Sequence, residues 1–199
     1  MAHNLPSEGY ISRDVKLVMR RGDTLWSLLA DLQNPEHELT VAGRKVALLA
    51  VGTNDLDASS WSGGKNSEEQ SRGKMEVIKM VVAELERQSP GIYIVLSSVL
   101  PRPCDDDLTH LCCKLFNRSL RRYAFSNRMG YTPLWSSFVV RVPHRDRAVP
   151  RSELFTGGQL HLNHRGACLL SRRLVQALSR GSLDQMAARA LPPVVIAWD

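Results

Sequence analysis

The sequence predicts an α/β protein with a mainly parallel sheet and helices on both faces, and three observations predict it. Apolar spacing switches repeatedly between a strand-like period of two and a helix-like period near 3.6. "KVALLAVG" (45–52) is a continuous apolar run, the pattern of a strand buried on both faces of a parallel sheet. Strand-like and helix-like segments then alternate throughout, which is how βαβ units are written in sequence. At 199 residues, with 43% hydrophobic and 23% charged residues, the chain suits one domain, 1–199, around a single core.

Residues 1–13 read as a flexible start, lacking the basic-then-apolar layout of a signal peptide, so an intracellular, cytoplasmic protein is expected. "DVKLVMRRG" (14–22) alternates Val15, Leu17 and Met19 and reads as a strand ending in glycine. "TLWSLLADL" (24–32) sets Leu25, Leu28, Leu29 and Leu32 on one helical face. The polar, glycine-rich stretch 57–73 reads as a surface loop. From Lys74 to Gln88, Met75, Ile78, Val81, Val82 and Leu85 make a second helical stripe.

"GIYIVLSSVLPRP" (91–103) is a further strand, closed by prolines that cannot donate to a sheet ladder. Leu108, Leu111, Cys112 and Leu115 mark a third helix running to about Tyr123, and a fourth strand lies within 131–142. Asn163 is suited to cap a last helix whose stripe is Ala167, Leu170, Leu174, Ala177 and Leu178. The tail 181–199 contains "PPVVIAWD", β-branched, apolar and bounded by prolines.

Composition excludes several functions. No apolar run approaches the ~20 residues of a membrane span. Cys104, Cys112, Cys113 and Cys168 show no C-x-x-C spacing and have no histidine in a zinc-like pattern, so no metal or other cofactor is expected. Vicinal Cys112 and Cys113 read as a core position and its neighbour rather than a redox pair. His3, His37, His110 and His144 fall in expected termini, loops or helix starts, and His164 in the first turn of the last helix. The net charge of +6, with arginines clustered at 20–21, 121–122, 141–147 and 172–173, suits RNA or an acidic surface as a partner. Oligomeric state is left open.

The carboxyl ends of parallel strands are where such sheets place their chemistry. "VGTNDL" stands at one such end, and "HLNHRGA" precedes the last helix. Together with "SSVLPRP" between them, these resemble the SGNH (GDSL-type) hydrolase family, in particular the esterase domains encoded by retrotransposons, over about Val15 to Leu178. The resemblance implies a flavodoxin-like, three-layer α/β/α fold and hydrolysis of short acyl esters. In that chemistry a serine attacks the carbonyl, a histidine takes its proton, and an aspartate three residues earlier orients the ring. The oxyanion is held by main-chain N–H groups and an asparagine amide. Carried over, Asn54 is the amide donor, His161 the base, and Gly22 the glycine N–H at the end of the second strand.

The departures are as informative. The position three before His161 is Gly158, which has no carboxylate, and Glu153 is the nearest upstream acid. No serine stands where the family has one. "GDT" (22–24) is either the nucleophile turn, with Thr24 replacing serine, or the second-strand turn, with the first strand absent. Only about 30 residues separate Gly22 from Gly52, room for a single βαβ step, which supports the second assignment. An absent first strand would leave two central strands unpaired. "PPVVIAWD" resembles that strand up to the aspartate of "GDS", so Val194 to Trp198 is either the filler, as in a circular permutation, or an apolar tail without a fixed partner. The resulting expectation is a degenerate hydrolase with little esterase activity; an active esterase and an RNA-associated module of a retroelement are the alternatives.

Overall fold

The computed structural model describes residues 16–20, 24–34, 36, 41, 46–56, 67–141, 148–182 and 194–198. In chain order the elements are β1 (Lys16–Arg20), α1 (Leu25–Gln33), β2 (Val46–Ala50), α2 (Ser67–Gln88), β3 (Tyr93–Ser97), α3 (Asp107–Ser126), β4 (Gly130–Thr132), β5 (Val139–Arg141), β6 (Ala148–Pro150), α4 (His164–Ser182) and β7 (Val194–Trp198). Short 3-10 turns cover Asn54–Leu56, Leu134–Ser137 and Ser152–Leu154. The start at 1–13 and most of the 57–73 loop lie outside the described residues.

Five strands form one sheet in the order β1-β7-β2-β3-β4, every neighbouring pair parallel. The order is that of a flavodoxin-like sheet, 2-1-3-4-5, with the chain's last strand in the first strand's place. Val194–Trp198 pairs residue for residue with Lys16–Arg20 on one side, and Val194–Ala197 pairs with Ala47–Ala50 on the other. Of the two readings of this segment, the filler is therefore the one that holds. Without it, the facing edges of β1 and β2 would carry unpaired N–H and C=O groups inside the sheet.

Helices cover both faces. On one, α1, α2 and α3 pack with Ala47, Leu49, Ile94 and Leu96. On the other, Leu174 and Leu178 of α4 pack with Val46, Leu48 and Val95. Alternate residues of β2 and β3 thus feed two cores, which is why both strands read as continuous apolar runs. Thr24 closes the start of α1 with a capping box, its hydroxyl accepting the Ser27 N–H, and Leu25, Leu28, Leu29 and Leu32 are all buried as the spacing predicts.

Four sequence expectations are corrected. Helix α2 begins at Ser67, seven residues inside the expected loop; Glu68 and Glu69 in its first turn suit the positive end of the helix dipole. The expected strand 91–103 pairs only over Tyr93–Ser97. The inner face of α3 is Thr109, Cys112, Cys113, Phe116, Asn117, Leu120 and Ala124, while Leu108 and Leu111 are each 47% exposed. The 131–142 segment is not one strand: β4 joins the main sheet, and β5 pairs antiparallel with β6 in a separate two-stranded sheet.

Candidate functional site

The chain leaves the carboxyl end of β2 through Gly52, whose φ of +103° suits glycine and little else. A Cβ there would also press on Phe116 and Val99, at 3.1 and 3.3 Å. This turn delivers Thr53 and the half-buried Asn54 beyond the sheet, with Asn54 opening a 3-10 turn. Asp55 points inward instead. Its Oδ2 accepts the N–H of Leu25, the first residue of α1, at 2.9 Å, and Lys74 of α2 stands 3.6 Å from Oδ1. Burial pushes the Asp55 carboxyl above its ordinary range, against the Leu25 N–H bond and Lys74, which pull it down. In "GTND", then, the asparagine reaches the sheet's end and the aspartate anchors the turn to α1 and α2.

His161 lies in the loop that enters α4 and is half-buried. A net of main-chain bonds fixes the loop: Thr156 N–H donates to the His161 carbonyl at 2.8 Å, Asn163 N–H donates to Leu154 O at 3.0 Å, and Phe155 bridges Leu162. Asn163 caps α4 as expected, accepting the Gly166 N–H at 3.1 Å while its amide donates to the carbonyls of Glu153 and Phe155. Gly166 is required by close approach, since a Cβ would sit 2.1 Å from Leu154 O. The "HLNHRGA" motif is thus largely a device for holding one loop, and the imidazole is its passenger.

Asn54 and the His161 loop each neighbour the carboxyl end of a sheet strand. Leu162 packs in a cluster with Phe138, Leu154, Phe155 and Leu100, and Leu100 follows the carboxyl end of β3. Asn54 follows the carboxyl end of β2. Gly22, the third candidate, lies outside the described residues. Thr24 stands where the chain leaves the edge strand β1, not the strand in the first position, and its hydroxyl lies 3.1 Å from Ser27 Oγ in the α1 cap. Gly158 is an exposed turn residue with open space around it. Glu153 is turned to Arg151, 2.7 Å away, whose guanidinium holds its carboxyl below the usual range.

Two polar supports at this end were not legible in the sequence. Asn117 of α3, 8% exposed, accepts the Val99 N–H at 2.7 Å and donates to the Val99 carbonyl at 3.0 Å, satisfying the peptide where the β3 ladder stops. Arg102 of "LPRP" is buried against Asp105, with Nε 2.8 Å and Nη2 2.7 Å from its Oδ1. His110 is half-buried: its Nε2 lies 3.2 Å from the Arg102 carbonyl and its ring sits edge-on to Trp135. Cys112 and Cys113 are both buried, and burial pushes the Cys113 thiol up to about 12, as befits a core residue without redox chemistry.

No family model and no curated protein matches the chain. Solved structures do. A GDSL-like lipase from Bacteroides thetaiotaomicron superposes with a TM-score of 0.57 at 15% identity, over 84% of this chain and 88% of its own. A member of the lipolytic G-D-S-L family from Veillonella parvula gives 0.54 at 14% identity, over 80% and 76%. The esterase domain of the ORF1 protein from the zebrafish ZfL2-1 retrotransposon is 25% identical over 65% of this chain and 69% of its own, with a TM-score of 0.45. The fold is that of the GDSL-type hydrolases, and no helix among the described residues is long and apolar enough to cross a membrane.

Proposed function

We propose that the chain is an SGNH-type hydrolase scaffold that keeps an amide donor, Asn54, and an imidazole, His161, at one end of its sheet, and has little or no esterase activity. The observation that carries this reading is the seat of β7. In the SGNH arrangement the nucleophile turn follows the strand in the first position, a place taken here by Val194–Trp198. The one hydroxyl in a "GDT" turn, Thr24, follows the neighbouring edge strand and is held by the α1 cap. A nucleophile must lie within hydrogen-bond reach of its base and ~3 Å from the carbon it attacks. A capped threonine one strand away supports no such geometry.

Gly158 in the aspartate position supports the same conclusion. Its loss alone removes a group whose absence lowers turnover by ~10⁴ in the serine-protease triad. Asn54 could still offer its amide to an oxyanion and His161 could still accept a proton, but each acts only on a nucleophile delivered to them.

Hydrolysis of p-nitrophenyl acetate tests the reading. The protein and its His161→Ala variant are expected to give the same rate, at the buffer background. Turnover that disappears on His161→Ala or Thr24→Ala overturns it.

A further inference from the structure

Behind β4, on the face covered by α4, lies a cavity of about 320 Å³ that is separate from the hydrolase-like end of the sheet. Arg173, on its wall, is nine residues along α4 from His164, which places it about 14 Å down the helix from the His161 loop. Gly130 in its wall packs closely and leaves no room for a side chain. A Cβ on Gly130 would come within 2.9 Å of Val95 and 3.1 Å of the Tyr93 hydroxyl. Volumes of about 300 Å³ and above are the range in which small-molecule sites occur.

The lining has two halves. Val95, Leu134 and Ala177 supply an apolar floor. Arg173 and Gln176, one helical turn apart, supply a polar wall; Arg173 Nη1 donates to Gln176 Oε1 at 3.2 Å, which turns the donors of that amide outward. Thr132, Ser136, Ser137 and Tyr93 also line it. Tyr131 lines the cavity with its main chain, because its ring lies on the other face with its hydroxyl on the Asn117 carbonyl. Among the described residues, no aspartate or glutamate lines the cavity. Arg151 touches its rim through the Ser137 carbonyl, its charge shared with Glu153.

A guanidinium and an amide stand beside an apolar floor, and no carboxylate is among the described lining residues. An anion gains a charge-assisted bond at the guanidinium that a cation or a neutral molecule does not. We propose that this cavity binds a small amphiphilic anion, a carboxylate or phosphate monoester carried on an apolar body, with its charge at Arg173 and its body over Val95, Leu134 and Ala177.

Titration of the 199-residue protein with phenyl phosphate, hexanoate and benzyl alcohol, followed by ¹H–¹⁵N NMR, tests the proposal. Saturable shifts at residues 130–137 and 173–177 are expected with at least one of the two anions, and which one saturates identifies the headgroup. Arg173→Gln, on an exposed helical surface, is expected to weaken binding about tenfold or more, the loss of a charge-assisted bond. Ala177→Phe is expected to abolish binding by filling the floor, and His161→Ala to leave it unchanged. The proposal is overturned if neither anion saturates, if benzyl alcohol binds as tightly as the anions, or if Arg173→Gln binds as tightly as the parent.

Discussion

Val195→Pro, at the second residue of β7, is expected to destabilise the protein severely. Val195 pairs with Leu17 on one side and Leu48 on the other. Proline removes one ladder donor, worth ~1 kcal/mol net, and orphans a buried carbonyl for ~1–3 kcal/mol more, so a loss of about 2–4 kcal/mol follows. Deleting residues 192–199 goes further. Five residue pairs with β1 and four with β2 are lost; at about one bond per pair and ~1 kcal/mol each, that is ~9 kcal/mol. A whole domain has ~5–15 kcal/mol of stability, so the truncated chain should not fold. Urea unfolding followed by circular dichroism measures both variants. A synthetic peptide of residues 192–199, added to the truncated chain, should restore the transition in proportion to its concentration. A truncated chain with the parent's midpoint and slope, or a Val195→Pro variant of unchanged stability, would refute a central β7.

Three further outcomes follow from the site. Asp55→Asn is expected to stabilise more at pH 7 than at pH 4: the folded carboxyl is raised above its unfolded value of ~3.9, so its favourable contribution is complete below that value and fades as pH rises through the folded pKa. Parallel pH profiles for the two proteins would show the carboxyl is not the cause. Gly166→Ala should lose about 2–4 kcal/mol in chemical denaturation, because the new methyl must push Leu154 O aside by about an ångström and disturb the Asn163 cap; an unchanged midpoint contradicts the close approach. Asn117→Ala leaves the Val99 N–H and carbonyl buried without their partner and should lose about 2–4 kcal/mol, read the same way, with Asn117→Asp failing to rescue because a carboxylate cannot donate to the carbonyl.

Where apolar periodicity and local chemistry agreed, the sequence was readable. Leu25, Leu28, Leu29 and Leu32 repeat at helical spacing behind a threonine cap, and Asn163 precedes a clean stripe. The seat of Val194–Trp198 was readable for another reason: a missing strand leaves backbone groups that must find partners, and one segment had the composition to supply them. The face of α3 was not readable because two of its inner positions are polar. Thr109 and Asn117 are buried, Asn117 through bonds to a peptide eighteen residues upstream, while Leu108 and Leu111 stay in solvent. The role of Asp55 was hidden similarly, its partner being the main chain of Leu25, which no side-chain pattern reveals. The cavity behind β4 is built from residues of β3, β4, the turn after it and α4, which no single periodicity brings together.

The place of β7 also sets the order in which this molecule can be made. Lys16 and Val194 are neighbours in the finished sheet. On the ribosome, β1 and β2 emerge early and wait with their facing edges open until residue 198 is released. Such a non-local closure makes for slow folding, and open edges invite pairing with other nascent chains. A protein wired this way closes its central slot only after both flanking strands are made, so its yield in a cell depends on how long two bare strands can be kept apart from strangers.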